Sequence, residues 1–175
     1  MGAQDELVAV YDAAGDVAGS APRWRMRRDG LWHAATSILV RSGDGRSIYV
    51  HRRTDHKDVN PGAHDCFAGG VVAAGETPDV GAERELAEEL GIRGVPLDFL
   101  FRSVFEEGSV RHHGFVYEVR WDGPVVHQPE EVADGWWMPS AELRERVADL
   151  DWPFAADSRQ FIREWFARQD AAASS

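Results

Sequence analysis

The stretch Gly69–Ile92, GGVVAAGETPDVGAERELAEELGI, decides the fold, because a glycine-rich loop passes there into a short helix crowded with carboxylates. Thr77 followed by Pro78 reads as a helix start, since the hydroxyl can cap free N–H groups and proline has no N–H to leave unsatisfied in the first turn. Gly91 reads as the stop, because glycine tolerates the left-handed conformation that ends many helices. Between them Glu85, Glu88 and Glu89 stand at i, i+3 and i+4, so their side chains share one stripe. Leu86 and Leu90 point elsewhere, to a core.

Such a helix is poorly built for stability alone. Like charges at these spacings cost roughly 0.2–0.5 kcal/mol per pair, and Glu88 and Glu89 lie near the end where the helix dipole disfavours negative charge. A divalent cation reverses both penalties, and hard cations such as Mg²⁺ are commonly shared between carboxylates and substrate phosphates. A lone run of three glutamates would read as a solvated acidic face. Here the spacing also fixes Gly70, Glu76, Arg84, Leu86, Gly91 and Ile92, positions that a solvated face does not need.

The length of 175 residues suits one domain with a sizeable core, and an apolar fraction of 43% with seven tryptophans points to a globular chain. With 19 basic against 30 acidic residues the net charge is −11, which argues against general nucleic-acid or membrane-surface binding. An anionic small-molecule substrate then needs a locally cationic site, and bound metal ions supply one. The one cysteine, Cys66, excludes an internal disulfide, fits a reducing cytoplasm and reads as a small buried residue. The start MGAQDELVAV is acidic and lacks the pattern of a secretory signal, and no run of 18 apolar residues suggests a membrane span. The expected location is cytoplasmic.

Around the central stretch, an N-terminal hairpin is expected over about residues 5–21 with its turn at Asp12–Asp16. Pro22–Gly30, PRWRMRRDG, is the most basic island and reads as a solvated connector rather than a phosphate or nucleobase contact. Residues 33–42 and 47–53 form a second hairpin across Gly43-Asp44-Gly45. Arg52, Arg53 and Lys57 then fall where the chain entering a cleft could present phosphate-binding cations, with surface solubility as the alternative. Two more strands are expected over 97–105 and 110–121, a short strand at 136–139, a helix capped by Ser140 to about Leu150, and a last amphipathic helix over about 154–169 followed by a frayed tail. His112 and His113, adjacent on a strand, should face opposite sides and so form no two-histidine metal clamp. The whole reads as a single mixed α/β domain.

Every fixed position of residues 70–92 matches G-x5-E-x7-R-E-U-x-E-E-x-G-U, with U apolar, and in this the chain resembles the Nudix hydrolase family. The resemblance implies an α/β/α sandwich with a mixed β-sheet over residues 1–175 and Mg²⁺- or Mn²⁺-dependent hydrolysis of a diphosphate linkage in a nucleoside diphosphate derivative. It implies Glu85, Glu88 and Glu89 as metal ligands with the carbonyl of Gly69, and Glu85 as a group that orients or deprotonates water. Arg84 and Glu76 become a supporting ion pair, and Gly70 and Gly91 serve geometry. Family members often recruit a further glutamate from a later loop. Glu131, six residues before Trp137, has a similar spacing, with Glu130, Glu106 and Glu107 as rivals and ordinary surface glutamates as the alternative.

The N-terminal stretch also resembles the branch that includes isopentenyl diphosphate isomerase. That enzyme uses a cysteine before a glycine-histidine pair, whereas Gly69 takes the cysteine position here and Val71 the histidine position. Cys66 lies three residues too early. His33 matches one metal histidine of the isomerase, but Met26 occupies the place of another. A regulatory Nudix-like domain that binds without turnover is the rival from another class, and the intact box argues against it. Trp24, Trp32, Trp136 and Phe105 are candidate surfaces for the group attached to the diphosphate. The residues leave that group and the oligomeric state open, a dimer included.

Overall fold

The computed structural model describes residues 2–175. Its centre is β3 (His33–Arg41), nine residues of which seven are buried in the pattern BBiBBBBBi. A strand covered on both faces reads as a near-continuous apolar run rather than an alternation, and HAATSILV is such a run. β3 pairs antiparallel with β1 (Leu7–Tyr11), with β6 (Phe67–Ala68) and, at Arg41↔Ile48, with β4 (Ser47–Arg53). Along its whole length it pairs parallel with β8 (Val110–Arg120), from His33↔His112 to Arg41↔Arg120. β1 turns back into β2 (Val17–Pro22), β4 also holds β5 (His64–Asp65) and β9 (Val132–Pro139), and β8 holds β7 (Asp98–Glu107). Among the described residues these strands form one nine-stranded mixed sheet.

Alternation along the strands feeds two cores. Ile38 and Val40 of β3, with Tyr49, Tyr117 and Val119, take the face covered by Leu86, Leu90 and Ile92 of the helix α2 (Pro78–Leu90) and its exit. Leu39, with Ile48, Val50, Phe67, Phe101 and Val116, takes the opposite face. There α3 (Ser140–Ala148) supplies Leu143 and Val147, and α4 (Ala156–Ala173) supplies Phe161, Ile162, Trp165 and Phe166. Full burial of each such side chain stabilises by about 1.5–3 kcal/mol. The result is an α/β/α sandwich. Among the described residues no helix is long and apolar enough to cross a membrane.

Four local expectations change. The basic island is no connector: Arg23–Asp29 forms a helix, α1, closed by Gly30 at φ 60°. Arg23 and Arg27, four residues apart, then face the protein, while Arg25 and Arg28 stay at the surface on Asp29. α3 ends at Ala148, and Ser140 donates its hydroxyl to the Arg46 carbonyl at 3.0 Å instead of capping the helix. α4 begins at Ala156, because Phe154 is held beforehand in a bridge to His64. The helix also continues through the alanines to Ala173 instead of fraying at 169, as alanine's high helix propensity favours.

Candidate active site

The ends of α2 are fixed by local chemistry. The Thr77 hydroxyl accepts the N–H of Val80 at 3.3 Å, Pro78 opens the first turn, and Gly91 closes the helix at φ 67°. Tyr117 on β8 donates to Asp79 at 2.6 Å, which ties that first turn to the sheet. Gly69 takes φ 149° and passes so near β3 that a Cβ would lie 1.9 Å from the Thr36 carbonyl oxygen. At Gly70 a Cβ would instead meet Glu85 Oε1 at 2.6 Å, so the missing side chain is the space in which the Glu85 carboxylate sits.

Arg84 braces this loop against the helix. Its Nε and Nη2 bond both oxygens of Glu76 at 2.8 and 3.0 Å, and Glu76 also accepts the Ala73 N–H at 3.0 Å. The paired geometry holds Glu76 below the usual carboxylate range and raises Arg84 further. Nη1 of Arg84 reaches Glu85 at 2.8 Å and Glu88 at 3.2 Å.

The three glutamates do not share one environment. The side chain of Glu88 is 48% exposed and leans on Arg84, whereas Glu85 is 13% exposed and Glu89 is buried at 5%. The N–H of Gly69 donates to Glu89 Oε2 at 3.1 Å. Burial pushes Glu85 upward despite Arg84, and burial together with the neighbouring Glu85 pushes Glu89 up to about 8. The neighbouring Glu88 also raises Glu85, so the cations nearby, Arg84 at Glu85 and Lys57 and Arg53 at Glu89, do not offset the burial of the two carboxylates.

That site borders a pocket lined by Gly69 and Gly70, by Arg53 and Lys57, and by residues of α1 and α4. Arg52 is not part of the lining. It alternates with Arg53 on β4 and pairs with Asp55 at 3.2 Å on the surface. Arg53 faces the buried Asp65 at 3.6 Å, and Lys57 forms an ion pair with Glu131. Burial and then Arg53 lower Lys57, while burial lifts Asp65 to about 6. Among the rival glutamates, Glu130 is exposed and its carbonyl accepts the Thr54 hydroxyl. Glu106 and Glu107 lie exposed at the β7–β8 turn, with Glu106 beside Arg111 at 3.8 Å.

Sequence reasoning missed part of the pocket. Asp157 and Ser158 arrive from α4, and Asp157 meets His112 at 3.2 Å. The ring of His33 lies 5.5 Å from that of His112. Only the parallel register of β3 and β8 brings these segments together, and no local pattern announces it. His113 points to the other side, to Arg102 at 2.8 Å and the Asp12 carbonyl at 2.9 Å. Of the aromatic candidates, Phe105 is buried in the core at 7% exposure and offers no stacking face, and Trp32 packs against the ring of His113 at 5.1 Å. Trp24 and Trp136 are exposed, and Trp24 borders a cleft shared with Arg27, His33 and Asp58.

Among the described residues no three of His, Cys, Asp and Glu stand together as a preassembled metal group. The residues nonetheless fit a hard cation. Glu85 and Glu89 are carboxylates buried without full compensation, and the Gly70 position leaves space at one of them. While Thr36 N–H takes the Gly70 carbonyl at 2.9 Å, the Gly69 carbonyl accepts no hydrogen bond among the described residues. Two carboxylates and a carbonyl suit a metal that completes its shell with water and phosphate oxygens.

A mixed sheet between helices, with a glycine loop and a glutamate helix beside a cationic pocket, defines a class of phosphoanhydride hydrolases. Residues 31–165 match the NUDIX domain, and the chain belongs to the Nudix family. It is 48% identical over 170 residues to an uncharacterized Nudix hydrolase of Rhodococcus erythropolis, covering 92% of each chain. Against the uncharacterized Nudix hydrolase YfcD of Escherichia coli it is 37% identical over 166 residues, covering 95% of this chain and 89% of that one. Among solved structures, a Deinococcus radiodurans protein superposes with a TM-score of 0.77 at 24% identity, covering 91% of this chain and 98% of that one. The NUDIX domain of Shewanella oneidensis NrtR, solved with ADP ribose, superposes at 0.62 with 17% identity, covering 79% and 88%. The protein is thus a pyrophosphohydrolase of a family whose members generally use divalent cations.

Proposed function

We propose that this protein hydrolyses a diphosphate linkage in a nucleoside diphosphate derivative or related small diphosphate, in the cytoplasm, with Mg²⁺ or Mn²⁺. The observation that carries the reading is the pair of carboxylates, the largely buried Glu85 and the buried Glu89, set beside the Gly69 carbonyl, which accepts no hydrogen bond among the described residues, and next to a pocket walled by Arg53 and Lys57. Glu85, Glu89 and that carbonyl would hold the metal, with Glu88 available once released from Arg84. When bound, the metal neutralises phosphate oxygens and acidifies a water. Glu85, kept in place by Arg84 and by the bare Cα of Gly70, orients the attacking water and can accept its proton. Arg53 and Lys57 hold phosphate oxygens, and Glu131 joins the reaction only by parting from Lys57. A nucleoside diphosphate joined to a sugar, the ligand of the Shewanella domain, is one candidate shape.

The isomerase reading meets a packing obstacle. Val71 and Met26, which stand at two ligand positions of that enzyme, are 5% and 1% exposed and pack with Val8 into an apolar cluster. Cys66 is buried at 1% exposure in a different core, and burial raises its thiol well above the ordinary range.

The test is a panel of nucleoside diphosphate sugars, dinucleoside polyphosphates, NADH, coenzyme A, nucleoside triphosphates and isopentenyl diphosphate with Mg²⁺ or Mn²⁺, scored by product. Cleavage of at least one anhydride is expected. Conversion of isopentenyl diphosphate to its dimethylallyl isomer, or tight binding across the panel without turnover, would overturn the reading.

A further inference from the structure

The arginines of α1 are left over by this chemistry. Arg23 and Arg27 both line the pocket, although α1 precedes the matched domain, which begins at residue 31. Their side chains are 19% and 23% exposed. Between them stands the carboxylate of Asp58 in the β4–β5 loop, whose Oδ2 lies 3.2 Å from Arg27 Nε and 3.7 Å from Arg23 Nε. Glu6 approaches Arg23 no closer than 3.9 Å. The other pocket cations already have partners, Lys57 with Glu131 and Arg53 with Asp65.

Both guanidiniums therefore turn Nε to the one Asp58 carboxylate, and the Nη groups of both make no hydrogen bond among the described residues, Arg23 Nη1 having only the distant ion pair with Glu6. A guanidinium prefers to offer two parallel N–H donors to one oxyanion. The charges report the same shortage. Burial lowers Arg27 even with Asp58 beside it, and the Asp58 carboxyl is held low, its burial outweighed by Arg27, Arg23 and Lys57. Arg23 is also near enough to lower Glu85, and it shares the pocket lining with Gly69 and Gly70 beside that glutamate.

We infer that Arg23 and Arg27 form a phosphate-binding clamp supplied by the segment before the shared domain, with the Asp58 carboxylate standing in the place of a substrate phosphoryl group until one displaces it. The inference rests on the diphosphate reading for its ligand, but binding without metal tests it apart from turnover. Asp58 keeps the clamp from carrying two buried cations uncompensated, and it makes the site selective for an anion that offers more than one carboxylate does. A diphosphate, with oxygens enough for four Nη donors, meets that requirement.

The experiment is titration calorimetry with inorganic pyrophosphate in excess EDTA at fixed ionic strength. Arg23→Gln and Arg27→Gln should each weaken binding about 10-fold, the usual loss for a hydrogen bond to a charged group. Arg27→Lys should retain part of the affinity. Arg25→Gln, on the outer face of the same helix and paired with Asp29 at 3.4 Å, should leave it unchanged. Asp58→Asn should tighten binding, the opposite sign from the arginine variants and one that a misfolded protein cannot produce. Wild-type affinity in both arginine variants, an equal loss in Arg25→Gln, weaker binding in Asp58→Asn, or no binding to the wild type would each overturn the clamp. Failure of the hydrolase reading would show instead as intact pyrophosphate binding with no turnover across the substrate panel.

Discussion

Two segments bring residues to the same pocket, Arg23 and Arg27 from one and Gly69 and Gly70 from the other, and could hardly be built more differently. The stretch from Gly69 to Leu90 is contiguous, and almost every side chain that matters finds its partner inside it: Arg84 on Glu76, Glu85 and Glu88, Gly69 on Glu89. The pocket arginines of the segment from Val17 to Asp29, Arg23 and Arg27, instead find their partner far along the chain, in Asp58. A self-contained segment can carry one chemistry through a family, whereas a wall completed by remote residues can change without disturbing it. In the proposed reading, catalysis belongs to α2 and anion affinity to α1.

The largest effect should come from Glu89→Gln. Its amide oxygen can still accept the Gly69 N–H, so the fold should be as stable as the wild type or more so, while kcat falls about 1,000-fold. A variant that kept kcat and raised only KM would break the division between the walls. Next comes Gly70→Ala. Its φ is not positive, and the added Cβ meets only the flexible end of Glu85, so the protein should fold while kcat drops by about 100-fold from a displaced carboxylate. Unchanged turnover would show that the position of Glu85 is not critical. Arg84→Lys, which loses the two-point contact with Glu76, should cost about 10-fold in kcat, with little change in metal-free pyrophosphate binding. Loss of that binding would mean that the two walls are coupled.

The remaining effect is on stability and leaves both walls untouched. His51 is buried, and burial, with Arg53, His127, Lys57 and His64 facing it, lowers it to about 3. A folded-state value below the unfolded one means that the contribution is complete above about pH 6.5 and is lost as the pH falls toward 3. In urea unfolding between pH 6 and 4, His51→Gln should remove about 1.4 kcal/mol per pH unit from the wild-type slope. Asp65, lifted to about 6, acts in the opposite sense in both proteins and cancels in the difference. Identical slopes would show that His51 is not held neutral.

The α2 wall was legible because its determinants lie within a few turns of one another: cap, stop, apolar stripe and ion pair all repeat at helical spacing. The split of Glu88 from Glu85 and Glu89 was not, since spacing gives a stripe and only packing on the sheet shows which edge of it is buried. The fold's two cores followed from the strand pattern. Arg52 and Arg53 were inseparable until β4 acquired neighbours on both sides. The α1 clamp stayed hidden because an arginine-rich run looks the same whether it faces water or Asp58, and Asp157 joined the pocket through a strand register that no local signal specifies.

That register has a temporal consequence. β3 acquires its parallel neighbour only when residues 110–120 are present, and α2, placed inside the crossover, cannot be clamped by Tyr117 before then. The pocket gains Asp157 later still, from the last helix. Pairing over such sequence distances is slow because loop closure precedes its reward. During synthesis, then, the helix with the carboxylates emerges after β3 and β6, on which it packs, but before the strand that pins its first turn and the last helix that completes the pocket.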